Sequence, residues 1–221
     1  TTEIYTLSLH DALPILYCVA RATRTIRLGF TGDLLSVRAA AVRAKQLAGL
    51  DWFSEGRVEL GIDLEEPPRG LLEDDPPAGV DFLDVSMDRL AAMEALWTQR
   101  RGEVRSDTVT FSGAIALPKT VGERPLPVHL RDIDLLPRVL EHRGRVDGWI
   151  AWHLDEDELR SGLGELADVL GDDAAQVRRT WFVDADRVEA SREVAASAGV
   201  DELVAVFDHV PGFDELRKVS A

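Results

Sequence analysis

Residues 44–61, AKQLAGLDWFSEGRVELG, constrain this chain more than any other stretch. They read as a helix, a tight polar turn and a buried strand ending in glycine. A helix that feeds a strand across so short a turn is half of a βαβ repeat. The expectation is therefore a parallel sheet covered by helices.

The rest of the chain keeps that alternation. Six strands are predicted at Ile26–Phe30, Val58–Ile62, Pro127–Leu130, Asp147–Trp152, Thr180–Val183 and Glu202–Phe207. Helices are predicted at Val37–Leu50, Val85–Trp97, Arg138–His142, Glu156–Leu170 and Val188–Ala198. Asp155 with Glu158 gives a capping start, Gly199 a C-terminal stop, and Pro137 suits a first helical turn. The region from Asp63 to Asp84 carries Pro67, Pro68, Pro76 and Pro77 among many carboxylates and reads as a long loop. A second excursion, Gly102 to Pro125, contains Val109–Gly113, which suits a small hairpin outside the main sheet. Neither excursion needs its own domain.

At 221 residues the chain can bury one sizeable core. Its 40 acidic and 25 basic residues leave a net charge of −15, which opposes binding to nucleic acid or to an anionic membrane and points to small-molecule partners. No apolar run reaches the roughly 18 residues of a spanning helix, and the expected location is cytoplasmic. One cysteine, Cys18, cannot form an internal disulfide and reads as a small buried hydrophobe. Asp63, Glu65, Glu66, Glu73, Asp74 and Asp75 lack the spaced glycine of a calcium loop, so no metal site is expected.

The opening stretch resembles the A-K-Q-x-A-x-L-D-x-x-S-x-G-R-x-x-L-G signature of the bacterial luciferase-like monooxygenases. Thr25–Gly29 is similar to that family's third strand, and Met87–Trp97 to its helix ending in Leu-Trp. Phe111-Ser112-Gly113, with Leu117-Pro118-Lys119 and Pro125-Leu126-Pro127-Val128, resembles the segment leading into the fifth strand. Val146–Ile150 matches the opening of the sixth and Gly199–Leu203 the approach to the eighth. The resemblance implies an incomplete (β/α)8 TIM barrel lacking about the first two βα units, since a full barrel needs roughly 250 residues. Thr1 to Ile15, TTEIYTLSLHDALPI, resembles the translation of a sequencing-adapter remnant. The expected organisation is thus a non-native segment over 1–15 and one partial-barrel domain over 16–221.

Ligands of such barrels gather at the C-terminal strand ends. The residues predicted there are Thr31, Gly32 and Asp33; Asp63 and Glu65; His129, Arg131 and Asp132; Trp152 and His153; and Asp208 with His209. The resemblance implies a reduced flavin, FMN or the deazaflavin coenzyme, across this mouth, with its phosphate near the ends of the fourth and fifth strands. Thr31, Gly32, Asp33, Asp63, His129 and Arg131 are the candidate cofactor contacts. Yet Gly61–Glu66 and Leu130–Asp134 depart from the family's small or arginine-bearing turns, and their carboxylates repel phosphate. By strand alternation His129 faces opposite to Val128 and Leu130. His142, following a helix, reads as exposed. His153 and His209, near the mouth, are the candidate acids or bases. The expectation is a flavin-dependent oxidoreductase or monooxygenase acting on a small organic substrate, alone or as a homodimer or heterodimer. Its rival is a barrel without flavin that serves as a non-catalytic structural or regulatory partner, or an inactive fragment of the enzyme.

Overall fold

In the first helix, α1 (Tyr5–Ala22), Tyr17 sets its ring 5.5 Å from that of Phe53, which belongs to α2 (Ala40–Phe53). The computed structural model describes residues 5–67, 80–209, 211, 212, 214, 215 and 218, with side chains from residue 13 onward. Cys18 is exposed rather than buried, because α1 turns Ala20 inward and Cys18 away from it. Helix α1 runs through the boundary expected at residue 15. Two compact units divide the chain, Thr1–Val128 and His129–Ala221.

In the first unit β1 (Leu28–Leu34) pairs parallel with β2 (Val58–Asp63), Leu28 opposite Val58 and Phe30 opposite Leu60. The register then shifts, so that Asp33 rather than Gly32 comes opposite Ile62. Leu60 donates its amide to Pro127 O, which lays the approach to the next strand along β2. Leu47 and Leu50 of α2, Leu60 and Ile62 of β2, and Leu90, Met93 and Trp97 of α3 (Phe82–Thr98) form a fully buried core. The expected hairpin is β3 (Gly102–Arg105) against β4 (Thr110–Ala114), antiparallel.

The signature residues work as joinery. Glu55 and Gly56 take positive φ, of 61° and 86°, which closes the turn between α2 and β2. Asp51, fully buried, accepts from the amides of Val58 at 3.3 Å and Val121 at 2.8 Å. Arg57 donates to the carbonyls of Ala20, Thr23, Ile26 and Ser54, tying the end of α1 and the segment before β1 to that turn. Trp97 donates its indole N–H to Ala44 O, and Lys119 donates to Leu96 O and Gln99 O at the C-terminal end of α3. A buried polar group needs such a partner. The bonds of these residues join one element of the fold to another.

The second unit takes up β5 (Val128–Leu130) and continues through α4 (Leu136–Arg143), β6 (Gly148–Trp152), α5 (Glu156–Leu170), β7 (Arg178–Asp184), α6 (Val188–Ala198) and β8 (Glu202–Val206). Strands β5 to β8 pair parallel in chain order. Asp155 and Glu158 form the capping box of α5, while Gly144 and Gly199, both at φ 74°, end α4 and α6. Their registers sort the side chains into two faces. Trp149 lies on the face under α5, where a Cβ on Gly162 would come within 2.6 Å of its ring. The other face carries His129, then Gly148, Ile150 and Trp152, then Arg178, Thr180, Phe182 and Asp184, then Glu202, Val204 and Val206. Apolar residues toward the C-terminal end of that face, Trp152, Phe182, Val204 and Val206, are only half-buried.

Candidate active site

The C-terminal ends of β5 to β8 bring one group of the predicted residues together. Arg131, one residue past β5, sets its guanidinium 5.0 Å from the centre of the Trp152 ring, and that ring lies 5.2 Å from Phe182 at a tilt of 39°. His153 follows Trp152 directly and meets its ring edge-on at 4.8 Å. The His153 Nδ1 lies 3.2 Å from a carboxylate oxygen of Asp184, the last residue of β7. Asp184 also lines a depression of about 530 Å³ together with Asp186, Phe207, Asp208, His209 and Glu215. Asp184 thus neighbours His153 and also borders the depression that His209 lines.

His209 is held by two carboxylates, Asp208 at 2.7 Å on Nδ1 and Glu215 at 3.1 Å on Nε2. These bonds raise its pKa above the usual histidine range. In return Asp208 is lowered, chiefly by its bond to His209, and Glu215 chiefly by the amide of Gly212. A doubly held imidazole is biased toward the cation, which suits proton donation more than proton acceptance.

The other predicted residues lie elsewhere. His129 is buried opposite Gly148, the first residue of β6, and bonds to Arg178, the first residue of β7, at 2.8 Å. It therefore sits at the N-terminal end of β6 and β7, about five residues or roughly 16 Å of strand from His153. In the first unit the shifted register turns Asp33 toward α2. There Arg43 donates to its carboxylate at 2.5 Å while stacking on Phe30, a residue of the same strand. Burial raises the Asp33 pKa, and Arg43 and Arg38 offset that only in part. Thr31 and Gly32, half-buried, occupy the shift itself. Asp63 accepts from the amide of Glu65 at 3.1 Å, and in the second unit Asp132 does the same for Asp134. His142 is exposed at the end of α4.

Sequence reasoning missed Asp184 because the strand was drawn to end at Val183. The signal available was alternation: with Phe182 on the Trp152 face, Asp184 had to share it. Glu73, Asp74 and Asp75 of the acidic loop lie outside the described residues. Among the described residues no group of three or more His, Cys, Asp or Glu is placed to hold a metal ion. None of the described helices is long and apolar enough to cross a membrane.

Residues 2–198 match the family model of the luciferase-like monooxygenases. The chain belongs to that family. A search of curated proteins gives no match. Among solved structures, the monooxygenase RslO1 of Streptomyces bottropensis superposes with a TM-score of 0.62 at 17% identity, over 85% of this chain and 59% of that one. The coenzyme F420-dependent tetrahydromethanopterin reductase of Methanopyrus kandleri gives 0.63 at 15% identity, over 86% of this chain and 64% of that one. The chain therefore spans less than two thirds of either structure. These likenesses establish the fold as an incomplete (β/α)8 barrel of the luciferase-like type, whose members are flavin- or F420-dependent oxidoreductases.

The residues present suit one half of such a cofactor. Trp152 and Phe182, with Arg131 above Trp152, form an aromatic and cationic shelf against which a planar ring can stack. The two turns named for phosphate do not fit it. The Glu65 and Asp134 amides already donate to Asp63 and Asp132, whose negative charges repel a second anion.

Proposed function

We propose that this chain forms part of a luciferase-like oxidoreductase in which a flavin-type cofactor, FMN or the deazaflavin coenzyme, serves a small organic substrate. The cofactor supplies the redox chemistry. The chain's own residues stack the planar ligand, keep the aromatic side of the mouth dry and move protons at His153 and His209. The observation that carries this reading is the convergence of Arg131, Trp152, His153, Asp184 and His209 at one end of the parallel strands of the second unit.

The self-satisfied turns at Asp63 and Asp132 favour a second reading, a barrel that takes no flavin and pairs with a catalytic chain. Titrating the protein with FMN and, separately, with the deazaflavin coenzyme distinguishes the two. Saturable quenching of cofactor fluorescence with either one supports the enzyme and names its cofactor. Binding of neither overturns it in favour of the partner.

A further inference from the structure

We propose that the buried pair Asp33–Arg43 sets the register of β1, choosing the shifted alignment with β2 over the regular one. The inference lies outside the cofactor reading and needs no ligand.

Regular pairing onward from Phe30 opposite Leu60 would bring Gly32 opposite Ile62 and Asp33 opposite Asp63. Side chains alternate along a strand, so Phe30, Gly32 and Leu34 would then share the face under α2. Asp33 would turn to the other face with the Asp63 carboxylate abreast, where like charges repel. The observed shift slips the chain by one residue and puts Asp33 on the buried face with Phe30. Arg43 spans the irregularity. Its guanidinium lies 4.4 Å from the centre of the Phe30 ring, before the shift, and its Nε donates to the Asp33 carboxylate, after the shift, at 2.5 Å. All three residues are buried. A slip of one residue exchanges the faces of everything beyond it, so this single contact decides which side chains β1 shows at its C-terminal end.

The pair is poorly built for stability. Arg43 Nε and Nη2 crowd onto the same Asp33 oxygen, and Nη2 completes no hydrogen bond of its own. Burial raises the Asp33 pKa even with Arg43 and Arg38 beside it, so the surroundings disfavour the charge they hold. A buried pair of this kind returns little net free energy and is kept for the arrangement it selects. The segment beyond is held separately: Arg89 of α3 donates to the carbonyls of Leu35, Ser36 and Arg38. Arg89 fixes where the turn after β1 lies, and Asp33 with Arg43 fixes which residues of the strand take up the slack.

Nuclear Overhauser contacts between β1 and β2 in the isotope-labelled full chain read the register directly. The native protein is expected to show Asp33 against Ile62 and Leu34 against Asp63. Arg43→Met leaves the Asp33 carboxylate buried without its cation and should move the contacts to Gly32 against Ile62. The double variant Asp33→Ala/Arg43→Met buries no charge, so it should fold with a urea midpoint at or above the native one, in the regular register that brings Leu34 onto the buried face. Asp33→Asn still accepts from Arg43 and should keep the shift. If Arg43→Met does not fold, the double variant decides. A shifted register in the double variant overturns the proposal and assigns the shift to the hold of Arg89. A double variant in the regular register but less stable than the native protein overturns it as well, because the pair would then be kept for stability.

Discussion

Replacing Asp51 by alanine tests whether the family signature holds the fold together. The side chain is wholly buried and accepts from two backbone amides, that of buried Val58 at 3.3 Å and that of Val121, an exposed residue, at 2.8 Å. Orphaning the buried Val58 donor costs about 1–3 kcal/mol, and losing the bond at Val121, where water can take its place, about 0.5–1.5 kcal/mol, so the pair amounts to roughly 2–3 kcal/mol. The ion pair with Arg124 at 3.5 Å adds little. That guanidinium is more than a third exposed and also donates to Gly56 O, so its share is below about 1 kcal/mol. For a chain of this size the loss corresponds to a fall in melting temperature of about 7 °C. Urea denaturation gives the free energy, and amide exchange shows whether Val58 and Val121 are the sites that open. A variant within about 1 kcal/mol of the native protein, with protection unchanged at both amides, would refute the argument.

Two further outcomes are expected. Gly148→Ala should destabilise by about 1–3 kcal/mol, because a Cβ there would meet the His129 ring, 2.6 Å from its Cε1, and the Arg178 carbonyl at 3.0 Å; in a His129→Ala background most of that cost should vanish, and an equal cost in both backgrounds would exclude the ring as its cause. Asp201 is held below the usual carboxylate range, first by its bond from the Arg179 guanidinium, so the pair's stabilisation is present above about pH 3.9 and is lost as pH falls through the depressed value in the folded state. Both side chains are partly exposed, so Asp201→Asn should cost less than about 1 kcal/mol near neutrality and flatten the acid limb of the stability curve, as read by denaturation from pH 7 down to about 2.

Helices α5 and α6 were legible to the residue because local chemistry marks their ends, the Asp155–Glu158 box in one case and Gly199 in the other. Helix α2 was not: residues Leu35–Val37 form a separate 3-10 turn, and the helix begins only at Ala40. The first strand was drawn to stop at Phe30, whereas β1 continues to Leu34 through a shift in register. Such a shift leaves no mark on composition, and it decides where Asp33 points. The partner of that carboxylate, Arg43, lies on the following helix, so the ion pair exists only once α2 has packed on β1. His129 was placed in the right strand, but its depth along the sheet depends on pairing with Gly148, which no single-strand reading supplies. His153 and His209 were legible as strand-end residues, while the carboxylates beside them, Asp184 and Glu215, depended on strand length and on contacts made only in the folded chain.

The turns at Asp63 and Asp132 have a consequence for competition. In each, the group bonded to the backbone amide is tethered only two residues away, so its return to the donor is an intramolecular event. An incoming phosphate would have to displace an intramolecular rival that never diffuses off, and would then share the turn with the charge it displaced. These loops act as occupied ports. In each turn, taken by itself, an arriving anion would meet a backbone amide that already holds one.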